Sequence, residues 1–112
     1  MVERINSRYK SMGKARIAGI LEGDALLKNL SITGCCLECT AYYENIKSNE
    51  IYKIEIEPES SSNVESFDIQ AECKWVRNMD YTCEFGFQIV ASPKGKYFSN
   101  YVDYLAFHST VV

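Results

Sequence analysis

No run of about 18 consecutive apolar residues occurs in the 112-residue chain, so no segment reads as a membrane-spanning helix. The N-terminus is polar and lacks the apolar h-region that directs secretion. These two absences make a cytoplasmic location the expectation. Histidine is almost missing, since His108 is the only one. There is no P-loop, no nucleophile elbow and no paired metal-ligand motif. With one histidine and no ionisable residue spaced to orient it, general acid–base and nucleophilic catalysis lack recognisable machinery. A non-catalytic role is expected.

A disulfide framework is also missing. The five cysteines, Cys35, Cys36, Cys39, Cys73 and Cys83, are odd in number and follow no secretory signal, which argues for reduced thiols. Cys36 and Cys39 have a zinc-like spacing, but a structural zinc site needs two further ligands. Cys73 and Cys83 stand too far apart to form a second pair, so no metal is expected. The thiols are read as small apolar side chains facing a core.

Charge is unevenly spread. The formal net charge is -3, yet residues 1–16 carry Arg4, Arg8, Lys10, Lys14 and Arg16 against Glu3 alone. The remainder holds seven basic and fourteen acidic side chains. A basic arm on an acidic body suggests a local anion site. It does not suggest a nucleic-acid coat, which needs a broad positive face, and the acidic total also counts against a barrel for single-stranded nucleic acid.

What the chain does have is period-two alternation. Tyr52, Ile54 and Ile56 alternate with Lys53, Glu55 and Glu57; Ala71, Cys73 and Trp75 alternate with Glu72 and Lys74. Tyr81, Cys83, Phe85, Phe87 and Ile89 alternate with Thr82, Glu84, Gly86 and Gln88. These are half-buried antiparallel strands, with weaker strand signals over 14–21, 24–30 and 34–40. Turns are expected at Glu22-Gly23-Asp24, in the polar loop 58–66 and at 77–80. Short, evenly spaced strands favour a small closed barrel, which leaves no exposed edge. Near the C-terminus the period changes. Ser92-Pro93 reads as a helix start, delayed by Gly95, and Phe98, Tyr101, Val102 and Leu105 form an apolar helical stripe. The fold class is all-β with a C-terminal α-helix, in one domain: an arm at 1–13, a barrel at 14–91 and a helix at 92–108.

Two polar motifs stand out. Arg4-Ile-Asn-Ser-Arg8 forms RxxxR, and Asn29, Ser31 and Gly34 form NxSxxG between two expected strands. Together, in this order and separation, they resemble the PilZ domain family, and Phe85-Gly86-Phe87 resembles that family's aromatic–glycine strand. The resemblance implies a small six-stranded antiparallel β-barrel with a closing helix. It also implies binding of the bacterial second messenger cyclic di-GMP through Arg4, Arg8, Asn29, Ser31 and Gly34, with no cofactor besides this ligand. It implies a downstream protein partner in motility, adhesion or polysaccharide export. Some members bind proteins and no nucleotide, which is the alternative, although those usually lack the arginine pair.

The residue types suit that ligand. The guanidinium fork matches the O6/N7 edge of guanine and the oxygens of phosphate, and its flat face can stack on a base. The opposite guanine edge offers N–H donors, for which Asn29 and Ser31 supply oxygens. Gly34 permits a turn or a close backbone approach. An arm with few apolar groups cannot fold alone against its entropy. A dianion that engages both arginines would order it and so present a new surface to a partner.

Overall fold

In a computed structural model of the chain, the residues described are 7–17, 21–40, 46–91 and 95–108, with the backbone alone described for 21–24. Among these described residues, seven strands and one α-helix follow in chain order: β1 (Tyr9–Lys10), β2 (Lys14–Ile17), β3 (Leu21–Leu30), β4 (Gly34–Cys39), β5 (Ile51–Glu57), β6 (Phe67–Asn78), β7 (Cys83–Ala91) and α1 (Tyr97–His108). Every pairing is antiparallel. The order β2-β5-β6-β7-β4-β3 returns to β2, so six strands close a barrel. Strand β1 is additional and pairs Tyr9 with Leu30 and Lys10 with Asn29.

Alternation places the core. In β5, Tyr52, Ile54 and Ile56 point inward while Lys53 and Glu55 stay exposed. Leu27, Leu30, Leu37, Ile54, Ile56, Phe85 and Phe87 are fully or almost fully buried. Each such side chain contributes about 1.5–3 kcal/mol by leaving water. The stripe Phe98, Tyr101, Val102 and Leu105 is the buried face of α1 and joins the same core. The Phe67 ring meets Phe98 edge-on at 5.9 Å, which ties the helix to β6.

Several local expectations shift. Glu22-Gly23-Asp24 is not a turn but lies within β3. The hairpin expected at 77–80 falls later: β6 runs on to Asn78, and the Met79 N–H donates to the Thr82 carbonyl at 2.8 Å. Tyr81 therefore precedes β7 and is 89% exposed. Residues 92–94, including the expected cap Ser92 and Pro93, lie outside the described residues. The helix begins only at Tyr97, after Gly95 at φ 78°. The described part of the arm, from Ser7 on, meets the barrel: the Ser11 N–H donates to the Lys28 carbonyl, and the Leu27 N–H to the Gly13 carbonyl.

Two bulges matter most. Leu27 pairs with Leu37 and Asn29 with Cys36, so Lys28 is the extra residue in β3. Cys73 pairs with Phe87 and Trp75 with Gly86, so Lys74 is the extra residue in β6. A bulge reverses the inward–outward alternation beyond it. Leu30 consequently turns inward after Leu27, and Val76 packs on the core after Cys73. Trp75, expected inside with Cys73, faces outward instead.

Candidate functional site

The outer face of β3, β4, β7 and β6 is built from cross-strand rows. Asn29, Cys36, Gly86 and Trp75 form one row; Leu26, Glu38, Glu84 and Arg77 form the next. On the other side Gly34 pairs with Gln88, which pairs with Glu72. The two bulges thus bring Asn29 and Trp75 onto one surface from strands that are not paired with each other.

Arg8 reaches over this face. Its Nη1 donates to Asn29 Oδ1 at 3.3 Å, 21 residues away in sequence. Gly34 lies beneath it: a Cβ there would stand 3.2 Å from Arg8 Nη2 and 2.4 Å from the Phe87 carbonyl oxygen. The β7 backbone therefore admits only glycine at this point. Ser31 is fully buried and organises the turn that precedes Gly34. Its Oγ accepts from the Thr33 and Gly34 N–H groups, each at 3.1 Å, and the Ser31 N–H donates to the Gly34 carbonyl at 2.8 Å. Arg8, Asn29 and Gly34 are thus brought together, with Ser31 directly behind them. Arg4 lies outside the described residues.

Beside Arg8 opens a cleft of ≈ 230 Å³ lined by Arg8, Thr33, Lys74, Trp75, Gly86, Phe87 and Gln88. Its wall is the indole of Trp75, laid over Gly86 so closely that a Cβ there would meet the ring at 2.2 Å. Arg77 holds the indole from beyond, with its guanidinium carbon 5.2 Å from the ring centroid. Glu84, although on the outer face, is buried. It accepts a hydrogen bond from Lys28 and lies 3.7 Å from Arg77. That hydrogen bond raises the pKa of the Lys28 ammonium, so the lysine stays charged.

Thr33, Lys74, Trp75 and Gln88 escape the motif reading. The usable signal is the spacing of Cys73 and Val76: two inward residues three apart in a strand imply a bulge and an outward Trp75.

All five cysteines are buried thiols. Four face the core, but Cys36 lies in the outer row between Asn29 and Gly86. Burial raises its thiol pKa to about 11, which keeps it protonated and a poor nucleophile. Among the described residues no cluster of three or more histidine, cysteine or carboxylate side chains could hold a metal ion, and no helix is long and apolar enough to cross a membrane. A larger groove of ≈ 630 Å³ is lined by Met12, Lys14, Glu57, Glu59 and Glu65 among others. Three carboxylates against one lysine suit an anion far less well than the cleft beside Arg8.

No family model matches the chain. No curated protein matches it either. Among solved structures, it is similar to the Bacillus subtilis inhibitor of motility, MotI/DgrA, with a TM-score of 0.77 and 15% sequence identity. The match covers 96% of this chain and 51% of that one, so the chain spans about half the length of that protein. Six antiparallel strands closed into a barrel, one extra strand and a C-terminal helix make the fold PilZ-like.

Proposed function

We propose that this chain is a non-catalytic receptor for cyclic di-GMP, acting in the cytoplasm, and that ligand binding at the β3/β4/β7 face alters its contact with a partner protein. The observation that carries the proposal is the convergence of Arg8, Asn29 and Gly34 on one outward surface beside an exposed indole. Arg8 is placed to serve a guanine edge or a phosphate. The Asn29 carboxamide can accept from guanine N–H groups once Arg8 turns to the ligand. Ser31 contributes by fixing the turn on which Gly34 sits, and Trp75 supplies a stacking wall. Arg4 is assigned the second guanidinium from the motif alone. The likeness to an inhibitor of motility supports a motility component as the partner.

The test is calorimetry with cyclic di-GMP, repeated on Arg8→Ala. Wild-type protein should bind, added salt should weaken the binding because part of the attraction is between exposed charges, and the variant should lose about 1–3 kcal/mol. Wild-type protein that produces no binding heat and no change in Trp75 fluorescence would overturn the receptor assignment in favour of a protein-interaction module.

A further inference from the structure

A second recess adjoins the cleft. It encloses ≈ 340 Å³ between the Ser31–Gly34 turn, the end of β7 and the start of α1, and its lining includes Ile32, Thr33, Gln88, Val90 and Phe98. Thr33 and Gln88 line the cleft as well, so the two spaces adjoin along β7. The Ile89 N–H donates to the Thr33 carbonyl at 2.8 Å, which fixes the turn against the strand between them. The chemistry of the two differs. The cleft carries Arg8 and Lys74, whereas among the described residues the recess is lined by no charged side chain. Two branched aliphatic side chains stand open there, Ile32 at 60% and Val90 at 43% exposure. Val90 is itself the extra residue of a bulge, because Ala71 pairs with Ile89 and Gln70 with Ala91. Bulges re-aim side chains and are frequent beside binding sites.

Size and polarity together indicate an occupant. At ≈ 230 Å³ the cleft alone falls below the roughly 300–1,000 Å³ typical of small-molecule sites, while the recess at ≈ 340 Å³ falls within that range, as do the two together. Cyclic di-GMP carries two flat bases joined through one sugar–phosphate ring, and a cleft of ≈ 230 Å³ is too small for the whole molecule. Building on the receptor function proposed above, we infer that the recess of Ile32, Val90 and Phe98 is a second base subsite, holding the apolar face of one guanine while Arg8 and Trp75 engage the other. The shared residues Thr33 and Gln88 then lie under the ring that joins the bases.

The experiment uses full-length protein and cyclic di-GMP. Ile32→Ser and Val90→Ser change exposed side chains, so circular dichroism should match wild type. Each should weaken binding about tenfold through lost apolar contact, whereas Ile51→Ser, an exposed control on β5, should leave affinity unchanged. In NMR titrations the methyl signals of Ile32 and Val90 should move upfield under the ring current of a stacked base. Wild-type binding combined with unaltered affinity in both variants and stationary methyl signals would overturn the subsite and leave the receptor function standing. Absence of any binding by wild type would overturn the receptor function, and the subsite with it.

Discussion

The Ser11 hydroxyl donates to the Tyr101 hydroxyl at 2.6 Å, joining residues 90 apart in sequence. The Tyr101 hydroxyl in turn donates to Glu59, and the Gly13 N–H donates to Ser11 Oγ at 2.9 Å. Four groups from the β1–β2 connection, α1 and the loop after β5 thus form one directional chain within the protein. Tyr101→Phe keeps the ring and its packing but leaves Ser11 and Glu59 without that partner. A loss of about 1–3 kcal/mol is expected, read as a lower urea midpoint at unchanged m-value. Since β1 is held to the helix through this chain, amide exchange at Tyr9 and Lys10 should quicken as well.

Alkaline pH should unfold the protein earlier than its acidic composition suggests. Burial raises Cys35 and Cys39 to about 12 and Cys36 to about 11, from 9.0. Burial also raises Tyr101, with its hydrogen bond to Glu59 adding to the effect. A raised pKa means that the folded state keeps its proton after the unfolded chain has released it. The stabilisation is therefore complete below about pH 9 and declines as pH rises from 9 toward 12. Denaturation midpoints measured from pH 7 to 11 should stay level and then fall. Cys36→Ser, the one outward thiol, should change the slope less than Cys35→Ser.

Trp75 is the sole tryptophan, so its fluorescence reports the cleft and nothing else. Gly86→Ala places a methyl where the indole now lies. The clashing atoms belong to a partly exposed side chain that can swing outward, so the barrel should survive at a cost of about 1–3 kcal/mol. The emission should shift red as the ring enters water. Gly34→Ala meets main chain at Phe87 instead, which cannot give way without parting β4 from β7. It should be the more damaging of the two by thermal melting.

How far the sequence discloses this arrangement depends on whether alternation is kept. In β5 it is unbroken, and Tyr52, Ile54 and Ile56 can be assigned to the core at once. The apolar stripe of α1 is equally plain because Phe98, Tyr101, Val102 and Leu105 keep helical spacing. Alternation fails at Lys28 and Lys74, where each bulge inserts one residue. A strict period-two reading through Cys73 then buries Trp75, although its true place is the wall of the cleft. The NxSxxG motif locates the turn correctly. It cannot reveal that the Ser31 oxygen is occupied by two backbone N–H groups, because those contacts exist only once the turn is closed. Glu84 is hidden for a related reason: a carboxylate on the polar side of a strand reads as exposed until Lys28 and Arg77 cover it.

That covering makes the response of the Lys28–Glu84 pair asymmetric. Glu84 is nearly enclosed, whereas Lys28 remains about half exposed. Lys28→Ala leaves the carboxylate with Arg77 at 3.7 Å as its remaining cation among the ion pairs of the described residues. A buried charge stripped of its partner costs more than the pair itself contributes, and a loss of about 1–3 kcal/mol is expected. Glu84→Gln removes the charge but keeps the shape. It leaves Lys28 free to reach water and Glu38, 3.8 Å away, so the cost should be below about 1 kcal/mol. The double variant should then be more stable than Lys28→Ala alone, since it no longer buries an unpaired carboxylate. A double-mutant cycle in urea measures this directly. Strictly additive losses would show that Lys28 and Glu84 are not coupled in the folded state.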